Sequence, residues 1–491
     1  MRKKKVAFTG VFDLANYGDH LFPEVFDREM KKRGIECEIT LFSIYRCKQA
    51  FNKEKEVYSI YDLEEMHRKC NFDAVIVGGG DIIHYESFKH LMEGEYRNYP
   101  IYDLWIVPSI FSYKNDVKLI WNALGIPFDF SGAKAILTKI LVEQADYIAV
   151  RNKQSAQALF HSGVSEKRVF VVPDTALALD DSYKANTEFS VNINSGNEKY
   201  VVVHLSKLMP VKEEQDVINE LDVLYNKGFQ IVLLPLAYTN DDDHYLAEFS
   251  KKCNVPCITF EKKLTLEEIV KVIASCEMYI GVSFHGAVTA YCFGKKAIAY
   301  NYTKNRKTKD LFEMFNRSEY YTEKSEELGK AIQCALTDSR AFDEMRSTIQ
   351  LQLKKHFDCV AEELSLNNVE RKKQKLDEYK LLSGIIGQLS LERQEEAKKQ
   401  AELAELLKNE QRGWKDCSEK LEQANVGWNE CAALLQNEQT AHRKLYEEDL
   451  KVREELNQLQ LQFQQISLEK QTIEAENQDL KDKLSRKWWK R

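Results

Sequence analysis

The sequence predicts an α/β protein with two Rossmann-like domains, followed by a long α-helical coiled coil. Three observations support this prediction. Short β-branched runs alternate with helical patterns from Lys5 to about Phe315, a polar stretch from Ser182 to Lys199 interrupts them, and Glu, Lys, Gln and Leu dominate from about Asn367. Such alternation indicates βαβ units around a parallel sheet. We therefore expect domains at 1–182, 183–360 and 361–491.

The predicted strands are nearly continuous apolar runs, as expected for strands that are covered on both faces. In the first half they are Lys5–Phe12, Cys37–Phe42, Phe72–Val77, Leu104–Val107, Val117–Trp121, Tyr147–Arg151 and Val169–Val172. In the second half they are Tyr200–Leu205, Gln230–Ala237, Pro256–Phe260, Met278–Val282 and Lys296–Tyr300. Two such halves imply a cleft bounded by the carboxyl ends of the strands.

Composition narrows the class of protein. Lys and Arg number 70 against 77 Asp and Glu, a net charge of -7, which argues against a nucleic-acid binder. The 11 cysteines lack paired short spacings, which favours a reducing compartment. We find no signal-peptide core after Met1 and no apolar run of about 18 residues. We expect a cytoplasmic protein.

The C-terminal region carries a heptad pattern, which predicts a left-handed coiled coil and a homodimer. The a positions are Trp414, Leu421, Trp428, Leu435, His442, Asp449, Leu456, Phe463, Lys470, Asn477 and Leu484, and the d positions include Leu445, Val452, Leu459, Ile466, Ile473 and Leu480. Trp488 and Trp489 lie among cations, a pattern that favours a frayed basic tail, with a peripheral membrane contact as the alternative.

Two turns of the first half place glycine beside a carboxylate after a strand. They contain Asn16, Gly18 and Asp19, and further along Gly79, Gly80 and Asp81. Glycine allows a ligand to approach the backbone closely, and the start of a helix favours an anion. The alternative for each turn is a purely structural role in packing or capping.

Charged residues end the next two strands. Arg151 closes the strand Tyr147–Arg151, and Asp174 follows Pro173 after the next strand. A guanidinium at this edge can bind a carboxylate or phosphate with two hydrogen bonds. The structural alternative is an interdomain ion pair.

The most informative segment is Ser283-Phe284-His285-Gly286, at a strand-to-helix junction of the second half. Gly286 keeps the start of the helix open to a ligand. His285 should face the cleft that Arg151 also reaches, which favours a catalytic over a structural histidine.

Together these motifs resemble the polysaccharide pyruvyl transferase family over residues 5 to about 315. The ordered set is Asn16-x-Gly18-Asp19, Gly78-Gly79-Gly80-Asp81, Ala123-Leu124-Gly125-Ile126-Pro127, Arg151 with Ser155, Pro173-Asp174, Ser283-Phe284-His285-Gly286, and Tyr300 with Lys304. The resemblance implies a GT-B-like arrangement of the two domains and transfer of the pyruvyl unit of phosphoenolpyruvate to two sugar hydroxyls as a ketal. It implies His285 as the general acid and Arg151 as a donor-binding residue, without a metal or cofactor. It also implies an acceptor on a cell-surface polysaccharide or its lipid-linked precursor.

One departure from the family pattern concerns the donor. Many members have Arg two residues before the histidine, where this chain has Ser283, and Phe284 takes the place of the usual Leu. A positive charge is therefore missing. We expect Lys304, Arg306 or Lys309, after the following strand, to replace it.

Two other functions fit the sequence. A nucleotide-sugar glycosyltransferase would share the architecture and would need a carboxylate for the ribose, for which the second half offers Glu267 and Glu268. A non-catalytic scaffold of a glycan-synthesis complex would fit the coiled coil and the serine at position 283.

We predict that truncation near Asn367 converts a dimer to a monomer and leaves the α/β part folded. The heptad seam is the strongly self-complementary surface in the sequence. Light scattering measures the mass, and an unchanged mass after truncation would contradict the role of the coil.

Overall fold

The computed structural model describes residues 2–85, 99–180, 183, 199–340 and 343–366, with short helical stretches between 398 and 458. It contains two compact units. One comprises Met1–Asp129 and Leu141–Arg371, and the other Phe130–Ile140 and Lys372–Arg491. Among the described residues, no helix has the length and apolar character that a membrane span requires.

The first sheet has eight described strands in the order β3-β4-β2-β1-β5-β6-β7-β8. All neighbours pair in parallel except β3 and β4. The strands are β1 (Lys4–Thr9), β2 (Cys37–Ser43), β3 (Cys47–Gln49), β4 (Asn52–Ser59), β5 (Ala74–Gly78), β6 (Lys118–Leu124), β7 (Tyr147–Val150) and β8 (Val169–Val171). The helices that lie between these strands in the sequence are α1 (Tyr17–Lys32), α2 (Leu63–Cys70), α3 (Asp103–Asn115), α4 (Gly132–Val142) and α5 (Lys153–His161).

The second sheet has six described strands, all parallel, in the order β11-β10-β9-β12-β13-β14. The strands are β9 (Tyr200–His204), β10 (Gln230–Leu233), β11 (Cys257–Ile258), β12 (Met278–Gly281), β13 (Lys296–Tyr300) and β14 (Tyr321–Thr322). The helices are α6 (Glu214–Asn226), α7 (Asp242–Ser250), α8 (Leu266–Ser275), α9 (Phe284–Cys292), α10 (Arg306–Met314), α11 (Leu328–Thr337) and α12 (Asp343–Ser365). Two parallel sheets with intervening helices confirm the predicted mixed α/β class.

The prediction of a strand at Leu104–Val107 is wrong, because these residues lie in α3. A short apolar run cannot distinguish a buried strand from a buried helix by periodicity. The helix buries Leu104, Trp105 and Pro108, so the run is apolar because it packs inside.

Strands β3 and β4 were not predicted. They form an antiparallel pair at the edge of the first sheet, and β4 carries the charged run Lys53-Glu54-Lys55-Glu56. β4 lies between β3 and β2, and the charged run precedes Val57, where its pairing with β2 begins. The same charges hide the strand from an apolar pattern.

The predicted linker 182–199 lies outside the described residues except for Tyr183 and Lys199, and most of the heptad seam does too. Residues 435–451 are helical. The coiled coil, the homodimer and the domain limits stay predictions.

Loops of the first sheet contact the second sheet at the ends of β1 and β10. The backbone N–H of Tyr17 donates to the carbonyl of Leu236 at 2.8 Å, and that of Ala15 donates to the Thr239 hydroxyl at 2.6 Å. The Tyr17 hydroxyl lies 2.8 Å from that of Thr289 on α9. These contacts bring the start of α1 beside the start of α9.

Helix α12 packs back onto the first sheet through a buried histidine. Nδ1 of His356 lies 2.9 Å from the Tyr147 hydroxyl, and its Nε2 lies 2.8 Å from the side-chain oxygen of Asn122. Burial, and to a lesser extent Arg33, lowers the pKa of His356 to about 3. The folded chain therefore holds this imidazole neutral.

We predict that His356 makes the protein less stable as the pH falls from 7 to 5. The unfolded chain protonates this imidazole near pH 6.5 and the folded chain does not, so stability is present above 6.5 and is lost below it. The loss due to this residue is about 2 kcal/mol over that interval. Denaturant unfolding at both pH values measures the free energy of unfolding. Its decrease from pH 7 to pH 5 should be about 2 kcal/mol smaller in His356→Gln than in the wild type. The control is His161→Gln, at an exposed side chain, and its free energy of unfolding should decrease as much as that of the wild type. A decrease in His356→Gln equal to that of the wild type would contradict the assignment.

Candidate active site

Charged side chains from both sheets meet beyond the carboxyl ends of the strands. Asp81 follows β5, Arg151 follows β7, Asp174 follows β8, His285 lies in the first turn of α9 after β12, and Lys307 lies in the first turn of α10 after β13. Parallel strands end at one edge, so turns that are far apart in sequence converge there. The cluster contains the predicted His285 and Arg151.

Arg151 is the buried centre of this cluster. Its Nη1 lies 3.5 Å from Oδ2 of Asp174, and its Nη2 forms an ion pair with Asp81. The side chain of Arg151 is 4% exposed, and its Nε has no hydrogen-bond partner among the described residues. A side chain at Gly125 would overlap the Asp81 carboxylate and lie 2.7 Å from Nε of Arg151. The structural alternative was an interdomain ion pair, but both partners of Arg151 lie in turns of the first sheet, so these ion pairs form within one half of the chain and inside the candidate site.

The carboxyl groups around Arg151 differ in acidity. Burial raises the pKa of Asp81, but Arg151 and Lys307 lower it by more, so it lies below the ordinary value. Burial raises the pKa of Asp174, although Arg151 opposes the rise. Burial also raises the pKa of Asp19 to about 6, although the Asn16 amide donates to this carboxylate at 2.7 Å. Asp19 can therefore gain or lose a proton near neutral pH.

His285 is buried between the two sheets. Its Nε2 lies 3.9 Å from Oδ2 of Asp174 and has no hydrogen-bond partner in the described part of the chain. A Cβ at Gly18 would overlap Nδ1 of the imidazole, so glycine at 18 allows α1 to approach it. Burial, then Lys307 and Arg151, lower the pKa of His285 well below its usual value. Without a bound anion the imidazole is neutral.

Lys307 is the basic residue after β13 that reaches the cluster. Its Nζ lies 3.8 Å from Oδ2 of Asp81. The expected candidates lie elsewhere: Lys304 is exposed, Arg306 lies 3.9 Å from Asp310, and Lys309 lies 4.0 Å from Glu313. A helix repeats every 3.6 residues, so one face of α10 points to the cluster and its neighbours in sequence do not. The sequence analysis missed Lys307; the period of α10 would have separated it from Arg306 and Lys309.

Of the other predicted site residues, the glycines of the first half form a turn of the site, and the polar residues of the second half form hydrogen bonds within that half. Gly79 and Gly80 have φ values of 102° and 51° and form the turn that carries Asp81. The Ser283 hydroxyl caps α9 by accepting a hydrogen bond from the Gly286 N–H at 3.3 Å. Tyr300 is buried and donates to the Glu213 carboxylate, so its hydroxyl is engaged within the second half.

Gly286 permits close packing against the ring of Tyr279, because a side chain there would overlap it. One member of the acidic pair that we considered for a ribose, Glu268, has a structural role. Glu268 accepts hydrogen bonds from the backbone and hydroxyl of Thr265 in an exposed capping box at the start of α8.

Comparison with solved structures finds enzymes of nucleotide-sugar metabolism with low identity. A UDP-N-acetylglucosamine 2-epimerase described as putative, from Listeria monocytogenes, is 10% identical with a TM-score of 0.49, and the match covers 76% of this chain and 98% of that one. The UDP-GlcNAc 2-epimerase of Methanocaldococcus jannaschii is 13% identical with a TM-score of 0.49, covering 74% of this chain and 100% of that one. At these levels the likeness bears on no functional residue. Comparison with curated proteins finds no match.

The sequence itself matches a family over the segment that supplies every residue of the cluster except Lys307. The match to the polysaccharide pyruvyl transferase family covers residues 16–305, which is more than half of the chain. This segment contains Asp19, Asp81, Arg151, Asp174 and His285. The protein is an enzyme that belongs to the polysaccharide pyruvyl transferase family.

Proposed function

We propose that this enzyme transfers the pyruvyl group of phosphoenolpyruvate to two hydroxyls of a sugar as a ketal. The sugar belongs to a cell-surface polysaccharide or its lipid-linked precursor. The observation that best supports the proposal is the position of His285, a buried histidine with an unpartnered Nε2, next to the ion-pair cluster of Arg151. A proton donor beside an anion-binding group is what phosphoenolpyruvate chemistry needs.

Donor binding involves an exchange of partners at Arg151. In the donor-free site, the guanidinium is neutralised by Asp81 and Asp174. The donor presents a carboxylate and a phosphate, either of which can accept two hydrogen bonds from a guanidinium. Asp81, whose side chain is 33% exposed, is the partner that gives way more easily, because it regains hydration when it leaves.

The charge of His285 follows the donor. Burial and the neighbouring cations keep its pKa low in the free enzyme. A bound phosphate dianion favours the imidazolium, so the histidine takes up a proton as the donor binds. This proton is then available for transfer to carbon.

The reaction changes four bonds at the carbon atoms of the donor. His285 transfers its proton to the methylene carbon of the donor, which leaves an oxocarbenium-like centre at the adjacent carbon. One sugar hydroxyl attacks that carbon and loses its proton, and Asp19, with a pKa of about 6, is the carboxylate that we assign to accept it. The carbon–oxygen bond to phosphate then breaks with its electron pair on phosphate, and the second hydroxyl closes the ketal and gives its proton to the phosphate.

The setting of the reaction is part of the proposal. The described cysteines are free thiols, which fits a reducing compartment such as the cytoplasm. The heptad seam fits a homodimer, and the tryptophans at the end of the sequence fit a peripheral membrane contact near a lipid-linked acceptor.

We predict that His285→Gln lowers phosphate release from phosphoenolpyruvate, with a sugar acceptor present, by about 100-fold to 10,000-fold, the usual contribution of a positioned acid. Donor affinity and melting temperature should stay close to the wild-type values. His161→Gln, at an exposed side chain, is the control. More than about a tenth of wild-type turnover in His285→Gln would exclude this histidine as the acid.

In the same assay, the loss of rate at high pH should occur at a higher pH for kcat than for kcat/KM. The first quantity reports the donor complex and the second the free enzyme, in which the pKa of His285 is depressed. The opposite order would contradict donor-dependent protonation.

The glycosyltransferase alternative has its own signature in this assay. If the wild-type enzyme releases no phosphate but transfers a sugar from a nucleotide donor, this alternative replaces the proposed function.

We predict that Gly18→Ala lowers turnover by about 100-fold or more, because the added methyl overlaps the His285 ring and displaces it. Gly329→Ala is the matched control: it is also a helical glycine, and the added methyl meets the end of the flexible Glu220 side chain. The assay is phosphate release, with circular dichroism as a check of folding. Wild-type turnover in a folded Gly18→Ala would contradict the close approach of α1 to the histidine.

A further inference from the structure

The aromatic ring of Phe284 is shared by the charged groups of the site. The Arg151 guanidinium carbon lies 5.8 Å from the ring centroid, and Nζ of Lys307 lies 5.4 Å from it. The His285 imidazole meets the same ring edge to face at 5.0 Å. One ring therefore contacts two cations and the proposed acid.

This arrangement holds two like charges in one partly buried place. Repulsion between Arg151 and Lys307 is offset by Asp81, which both cations approach, and by the ring, whose negative face attracts cations. This attraction is stronger where water is excluded. A leucine at 284 would fill similar space without attracting either cation.

The Lys307 ammonium lies in the site without a direct hydrogen bond to a carboxylate. Its distance of 3.8 Å from Asp81 is longer than a direct hydrogen bond, and within the described ranges no other carboxylate lies within 4.0 Å of it. The side chain is 24% exposed, so it is largely buried in the site but still accessible to a ligand. Three N–H donors are thus held beside the imidazole and the guanidinium.

The residue at the start of α9 supplies no charge. The Ser283 hydroxyl accepts the hydrogen bond that caps the helix. The cations near His285 therefore come from the turn after β7 and from α10, which lie in different halves of the chain. An anion that bridges Arg151 and Lys307 would contact both halves at once.

We propose that Lys307 is the second donor-binding cation of this enzyme and that the ring of Phe284 positions it. Arg151 binds one anionic group of the donor and Lys307 the other, with the methylene carbon between them and His285. This inference rests on the proposed function for the identity of the donor. The anion site itself is testable with inorganic phosphate.

The test compares Lys307→Met, Lys307→Arg and the matched control Lys309→Met, which changes an exposed lysine on the same helix. Calorimetry measures the Kd of phosphoenolpyruvate and of inorganic phosphate. We expect Lys307→Met to raise both Kd values by about 10-fold to 100-fold, the loss of a charge-assisted contact. Lys307→Arg, which keeps the charge, should recover most of the affinity, and Lys309→Met should match the wild type. Unchanged affinity in Lys307→Met, or equal loss in Lys309→Met, would overturn the proposal.

A second comparison tests the role of the ring. Phe284→Leu should raise the Kd of phosphoenolpyruvate by about 3-fold to 30-fold. In the double variant Phe284→Leu/Lys307→Met, the loss should be smaller than the product of the two single losses, because the ring acts through the lysine. Multiplying effects would show that Phe284 acts independently of Lys307 and would overturn its positioning role.

The two failures can be told apart. If the wild type binds phosphate but not phosphoenolpyruvate, the proposed function fails, and the phosphate Kd of Lys307→Met alone decides whether Lys307 is an anion-binding residue. If the wild type binds both but Lys307→Met does too, only the inference fails. If the wild type binds neither, both fail.

Discussion

The structure of the site depends on one buried guanidinium. Arg151 lies in an environment from which water is largely excluded, where an unpaired charge would destabilise the fold by several kcal/mol. Asp81 and Asp174 supply the opposite charge from the turns after β5 and β8. Three turns of the first sheet are thus tied together before any ligand arrives.

The same constraint keeps the site ready to exchange partners. Asp174 is buried and lies within 4 Å of both Arg151 and His285. Asp81 is more exposed and contacts both cations. The site thus has a buried carboxylate, Asp174, and a more exposed one, Asp81, that can leave. Its cations are neutralised when it is empty, and it can accept an anion. The low pKa of His285 in this state prevents it from being charged without a donor.

The approach of the two halves decides whether the acid and the cation form one site. Backbone hydrogen bonds from Ala15 and Tyr17 to the loop after β10 set the position of α1. Gly18 then lies against the His285 ring, at a place where any side chain would collide. The motif that contains Gly18 thus has a steric reason for its glycine that a phosphate-binding interpretation of the turn did not require.

The sequence by itself determined the mixed α/β class and the residues at strand ends, including Arg151, Asp174 and His285. Apolar runs record burial on both faces, and the carboxyl ends of parallel strands share an edge, so these features follow from local pattern. Only the tertiary structure decided which partners meet: Asp81 with Arg151, Gly18 with His285, and Lys307 rather than Lys304 with the cluster. Such pairings depend on the packing of elements that are far apart in the sequence. That packing is not encoded in the order of residues around a single motif.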